Sequence, residues 1–292
     1  MRRERVATAD GDFVDLDWLD VAAPTTAPVL LVLHGLEGSA HSHYVRGFFR
    51  DAGARGWRAA VLNFRACSGE LNRLPRFYHS GDTGDLDAVV RLLAAREPAL
   101  RLGAVGVSLG GNVLLKWLGE QGEGAPKAVV GAVGISVPFD LEACAEVLDR
   151  GFAREVYTRS FLRTLRRKVR AKAVLHPGFV DVAAALRART FAAYDRAVTA
   201  PLHGFADERD YWRRSSSGPW LAHIQRPTLL INALDDPFMP ARSLPDPAAL
   251  PDGVRAEFTP RGGHAAFLDG APWRPQSWAE RRAVEFLAGL LA

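Results

Sequence analysis

Apolar residues in this chain alternate between two rhythms. Continuous apolar runs of strand length recur at Pro28–Leu33, Trp57–Phe64, Arg101–Val105, Ala128–Ser136 and Pro227–Asn232, with a shorter one at Val254–Phe258. Such runs are the signature of parallel strands covered on both faces. Between them the spacing is helical. Tyr44, Val45, Phe48 and Phe49 share one face of a predicted helix over 42–54. Leu86, Val89, Val90 and Leu93 share one face of another, which starts at Asp82 or Thr83 as cap and runs to Arg96. Gly111 to Gly119 opens a third, and 277–291 reads as a closing amphipathic helix. Phe13–Leu19 alternates apolar and polar residues, which predicts a half-exposed edge strand. Strands alternating with helices imply an α/β fold with a mostly parallel central sheet flanked by helices.

Two stretches break the rhythm. Residues 65–83 form a long loop, and loops of this length in compact domains tend to be functional. Residues 139–217 carry helical periods and many arginines but no core strand. The expected organisation is a core over 1–138 and 218–292, with a helical lid inserted at 139–217. Phe161, Leu165 and Val169 recur at four-residue spacing in the lid, leaving Arg159, Arg163, Arg166, Arg167 and Arg170 on the rest of that helix. The leading reading is a solvated basic face, ahead of peripheral contact with a membrane surface. Nucleic-acid binding ranks last, because no stacking platform or known motif accompanies the charge.

Composition narrows the class. Hydrophobic residues make up 48% of the 292, enough for a large core, and 37 basic against 33 acidic residues leave a net charge of only +4. The two cysteines, Cys67 and Cys144, are too few and too far apart for a disulfide framework or a metal spacing, which points to a reducing compartment. The basic start Met1-Arg2-Arg3-Glu4-Arg5 is followed by no apolar run, and no stretch approaches the ~18 apolar residues of a membrane span. A soluble, cytoplasmic protein is expected. Nothing in the sequence asks for a metal or an organic cofactor, and the oligomeric state is not legible.

Candidate chemistry gathers at strand ends. Gly106-Val107-Ser108-Leu109-Gly110 is a G-x-S-x-G pentapeptide between a predicted strand and helix. That context fits a nucleophile elbow, in which a sharp turn lifts the serine Oγ and leaves no room for side chains at the flanking glycines. The helix N-terminus behind it directs N–H groups toward an oxyanion. Upstream, the strand at 28–33 ends in His34-Gly35-Leu36; downstream stand Asp235-Asp236 and then Gly262-Gly263-His264. The order Ser, Asp, His is that of α/β-hydrolases. Ser108 is the candidate nucleophile and His264 the general base and acid. Asp236, four residues before Pro240, is preferred to Asp235 as the group that orients the histidine. The backbone N–H groups of Leu36 and Leu109 are the candidate oxyanion donors. His79 is a candidate pocket residue. Cys67 lacks an elbow and ranks below Ser108 as a nucleophile.

Several longer stretches carry a closer resemblance. His34-Gly35-Leu36-Glu37-Gly38-Ser39 with Tyr44, Asn63 to Glu70 with Asn72-Arg73-Leu74, Tyr78 to Thr83, Gly106 to Asn112, Asn232 to Phe238 and Gly262-Gly263-His264 together resemble the YheT-like subgroup of α/β-hydrolases. That subgroup takes in bacterial esterases, vertebrate abhydrolase-domain proteins and yeast medium-chain fatty acid ethyl ester synthase/esterases. The resemblance covers about residues 10–270. It implies a triad of Ser108, Asp236 and His264 and hydrolysis of short- to medium-chain carboxylic esters or lipid-like esters, with acyl transfer to an alcohol as an activity open to relatives. The membrane-anchoring N-terminal segment of many relatives is not expected here. Ala66 departs from the pattern, which has glycine there. An acyltransferase and a non-catalytic binding protein on the same fold remain the rival readings.

Overall fold

The computed structural model describes residues 1–20, 23–270 and 276–292. Eight strands make the main sheet: β1 (Arg2–Ala7), β2 (Phe13–Trp18), β3 (Val29–Leu33), β4 (Arg58–Asn63), β5 (Leu102–Val107), β6 (Val129–Ile135), β7 (Thr228–Ala233) and β8 (Val254–Thr259). Their order is β1-β2-β4-β3-β5-β6-β7-β8. β1 and β2 pair antiparallel, as do β2 and β4; all later neighbours are parallel.

The alternation along each inner strand explains the two-sided cover. Leu31 and Leu33 of β3 join Leu62, Leu102 and Leu114 on one side. Leu30 and Val32 join Phe48, Val61, Val105 and Val284 on the other. The first face is covered by α2 (Gly84–Arg96) and α3 (Leu109–Gln121). The second is covered by α1 (His43–Gly53) and the last helix, Trp278–Leu291. Fully burying one leucine is worth about 1.5–3 kcal/mol, so these two layers dominate the stability of the fold.

The edge of the sheet differs from the sequence expectation. β2 is buried along its whole length and lies inside the sheet; the edge strand is β1. Asp15 and Asp17, which suggested a solvent face, are neutralised by β1. Arg5 Nε donates to Asp15 Oδ1 at 2.9 Å, and Arg3 Nε donates to Asp17 Oδ1 at 2.8 Å. A buried carboxylate is tolerated once it is paired and hydrogen-bonded.

Between β6 and β7 the chain leaves the sheet for a helical cap. Its main helices are α4 (Leu141–Leu148), α5 (Arg159–Leu175) and α6 (Glu208–Ser215). α5 is the helix expected from Phe161, Leu165 and Val169, and Arg159, Arg163, Arg167 and Arg170 are exposed. Arg166 is not on that solvated face: it is half-buried, and its guanidinium donates to the Ala188 carbonyl. Among the described residues no helix is long and apolar enough to cross a membrane.

The 65–83 loop is fixed by charge. Arg65 is buried; its Nε and one terminal nitrogen grip the Asp85 carboxylate, both at 2.7 Å, and the other terminal nitrogen reaches Asp10 and Asp12. Ala66, the departure from the family glycine, sits at φ 62°, a left-handed conformation that costs a non-glycine residue about 1–2 kcal/mol.

Candidate active site

Ser108 occupies the turn between β5 and α3 with φ 54° and ψ −121°. This conformation is unfavourable for a side-chain-bearing residue and is held by its surroundings. The Ser108 N–H donates to the Ile135 carbonyl at 2.8 Å. A Cβ at position 106 would lie 2.4 Å from the Gly110 carbonyl oxygen, and one at position 110 would lie 2.4 Å from that of Leu33. The flanking glycines are therefore a packing requirement of the turn.

His264 lies on the loop after β8. The Ser108 hydroxyl donates to His264 Nε2 at 3.0 Å, and His264 Nδ1 donates to Asp236 Oδ2 at 2.9 Å. The Asp236 carboxylate is fully buried, and its Oδ1 also accepts the Phe238 N–H at 2.8 Å. The Phe238 ring stacks on the imidazole at 4.0 Å. Asp235 has another task. Its Oδ1 accepts the Gly262 and Gly263 N–H groups, each at 2.9 Å, and so clamps the loop that carries His264. Gly263 in that loop has φ 60°.

The turn after β3 faces Ser108 from the other side. His34 is completely buried: Nε2 accepts the Phe64 N–H at 3.1 Å and Nδ1 donates to the Gly35 carbonyl at 2.7 Å. Burial pushes its pKa down to about 4, so it stays neutral. The Gly35 N–H donates to the Tyr44 hydroxyl, and the Glu37 N–H to the Tyr78 hydroxyl, which in turn donates to Glu37 Oε1. Among the described residues the N–H groups of Leu36 and Leu109 have no acceptor. Both residues line the cavity that also contains Ser108 and His264.

That cavity, about 140 Å³, lies between core and cap. Leu141, Leu148, Phe161, Leu165 and Phe191 give the cap side an apolar lining. Lys168 of α5 crosses to the core, where its Nζ donates to Glu37 Oε1 at 2.6 Å and to Cys67 Sγ at 3.2 Å. Cys67 is buried, and burial pushes its thiol up to about 11, so it remains protonated and poorly nucleophilic. Lys172, fully buried one turn further, donates to the Asn72 carbonyl, Asn72 Oδ1 and the Leu74 carbonyl at 2.6, 2.9 and 2.7 Å. Asn112 of α3 donates to the Ser80 and Ser215 carbonyls, both at 2.7 Å, and accepts the Ser217 N–H at 2.9 Å. It ties α3 to the 65–83 loop and to the end of the cap. The sequence reading missed Lys168, Lys172 and Asn112 as site-shaping residues; only Asn112 had a signal, its place directly after Gly110-Gly111. Among the described residues no three or more histidine, cysteine or acidic side chains stand together as metal ligands would.

The model of the alpha/beta hydrolase fold family matches residues 28–271. The chain belongs to that family. Within the α/β-hydrolases it is YheT-like: it is 42% identical to the Escherichia coli protein named Putative esterase YheT, over 99% of this chain and 85% of that one. It is 30% identical to mouse Phospholipase ABHD3, over 99% of this chain and 72% of that protein. Among solved structures, the Pyrococcus furiosus esterase Pf2001 superposes with a TM-score of 0.64, covering 100% of this chain and 93% of that one at 16% identity, a likeness of fold.

Proposed function

We propose that this α/β-hydrolase is a serine esterase that cleaves short- to medium-chain carboxylic esters through an acyl-enzyme on Ser108. The observation that carries the reading is the unbroken chain from Ser108 through His264 to Asp236, opposite two N–H groups without acceptors. In this mechanism His264 Nε2 takes the hydroxyl proton as Ser108 Oγ attacks the ester carbonyl carbon. The carbonyl oxygen, now an oxyanion, accepts hydrogen bonds from Leu36 and Leu109. Donors of this kind are commonly worth ~10²–10³ in rate each. Collapse expels the alcohol, which receives its proton from His264. Water then attacks the acyl carbon, with His264 again as base, and frees the acid. Asp236 holds the imidazole in the Nδ1–H tautomer and stabilises the imidazolium. The 42% identity to the Escherichia coli protein named Putative esterase YheT supports this assignment.

The test is labelling with a fluorophosphonate probe and turnover of p-nitrophenyl esters of increasing chain length, for wild type and Ser108→Ala. Labelling that vanishes in the variant, with turnover reduced by on the order of 10⁴ or more, is the expected result. A folded wild type that neither labels nor turns over any ester would remove the reading.

A further inference from the structure

The mechanism leaves one polar feature of the cavity unused. His79, from the 65–83 loop, and His203, from the short cap helix Ala200–His203, line the same cavity as Ser108 and His264. Their ring centroids are 4.4 Å apart. His79 Nδ1 accepts the Gly81 N–H at 3.1 Å, so its proton resides on Nε2. Among the described residues that Nε2–H has no acceptor, and neither ring nitrogen of His203 has a partner.

The polar groups beside them are already engaged. The Tyr211 hydroxyl donates to Ser80 Oγ and accepts the Ser80 N–H, at 2.9 and 3.1 Å. Asp195 accepts from Thr199 Oγ1 and Trp212 Nε1, at 2.6 and 2.9 Å. Lys168 is committed to Glu37. Burial, reinforced by the charges of Arg76, Lys116 and Arg214, pushes His79 down to about 3; burial and the neighbouring His79 do the same to His203. The pair therefore offers a cavity ligand neutral groups only: one fixed donor, and one imidazole free to donate or accept.

We propose that His79 and His203 form a recognition subsite for a hydroxyl on the acyl chain, so that the preferred substrates are esters of hydroxylated fatty acids. This rests on the esterase reading. A chain hydroxyl can accept from His79 Nε2–H and donate to the unprotonated nitrogen of His203, engaging both rings at once. A carboxylate would have to be stripped of its hydration shell to reach the pair, a cost that a neutral hydroxyl largely avoids. Two imidazoles without a third ligand are too few for a closed metal site. A site with polar groups poised for a substrate hydroxyl discriminates against the analogue lacking it, because those groups are then left unpaired.

The experiment compares matched ethyl esters whose acids are unsubstituted or carry one hydroxyl scanned along the chain, and measures kcat/KM for each. Wild type is expected to favour one hydroxyl position over the unsubstituted ester by about tenfold, the size of one or two net hydrogen bonds. His203→Phe, which keeps the ring packing and removes no protein hydrogen bond, should bring that ratio close to one. His203→Asn, with a donor and an acceptor, should restore part of it. His79→Phe gives an independent check of the donor. Equal turnover of all esters, or a preference that His203→Phe and His79→Phe leave intact, overturns the subsite while the esterase reading stands. Absence of turnover on every ester overturns both.

Discussion

The floor of the cavity is positioned by backbone, whereas its roof is positioned by side chains. Ser108, Asp236 and His264 each follow a strand of one hydrogen-bonded sheet, and the proposed oxyanion donors are main-chain groups. The roof is a set of helices that touches the floor through a few long polar side chains: Lys168 on Glu37, Lys172 on Asn72 and Leu74, and Asn112 on Ser80, Ser215 and Ser217. A backbone-built region tolerates few changes of geometry and declares itself in local motifs. A side-chain-built region can be altered one residue at a time, and its partners lie far away in sequence.

The largest effect should come from the floor. Asp236→Asn is expected to lower kcat by ~10⁴, by disturbing the tautomer of His264 while leaving the fold intact. Asp235→Asn, which only loosens the clamp on Gly262 and Gly263, should cost about tenfold at most. Equal losses from the two variants would erase the distinction between orienting and clamping carboxylates.

In the roof, Lys172→Met should be the most damaging change. It leaves three buried acceptors without their donor, a loss of about 3–5 kcal/mol by comparison with other broken buried charge contacts. Faster hydrogen exchange over α5 and a raised KM, with core strands still protected, would show that the roof loosens separately. Uniform loss of protection in the sheet would contradict the division.

A third change acts through pH. Burial pushes the Asp195 carboxyl up to about 7, well above its ordinary value of 3.8. The folded form keeps a proton that the unfolded chain gives up. This contribution to stability is full below pH ~4 and is lost as pH rises through about 7. Wild type should therefore lose on the order of 4 kcal/mol between those limits through this group, and Asp195→Asn, neutral throughout, should flatten the profile by that amount. Identical profiles would place Asp195 in contact with water.

The smallest effect tests the contact between the regions. Lys168→Met removes the link from α5 to Glu37, the residue after Leu36. We expect kcat to fall about tenfold as the Leu36 N–H loses its fixed direction, less than the loss of a whole oxyanion donor. A change confined to KM would show that Lys168 shapes the cavity without steadying the turn.

The same contrast explains what the sequence disclosed. The elbow, the His34-Gly35 turn and the Asp and His loops were legible because each requirement is local: a glycine beside a tight turn, an apolar strand before it. The structure brings Ser108 and Asp236 each within hydrogen-bond reach of His264 and sets Leu36 and Leu109 beside the same cavity. Edge strand β1 was not legible, because Arg-Arg-Glu-Arg-Val-Ala carries no strand rhythm and its arginines are explained only by Asp15 and Asp17 opposite. Lys168 and Lys172 likewise read as two more charges in a basic helix. Their partners, Glu37 and Asn72, are more than a hundred and about a hundred residues away.

Asn112 has a kinetic consequence. Its side chain collects Ser80, Ser215 and Ser217, the last two separated from it by 103 and 105 positions. Closing loops of that length carries an entropic barrier that local strand–helix pairing does not. The strands β2 to β6 and the elbow can condense without the inserted segment, whereas the Asn112 knot, like the β6–β7 pairing, ties only when that segment has come home. The expected order leaves Ser108 formed on its turn before the cavity closes over it, so that in refolding experiments ester turnover should return no earlier than protection of the strands around the elbow.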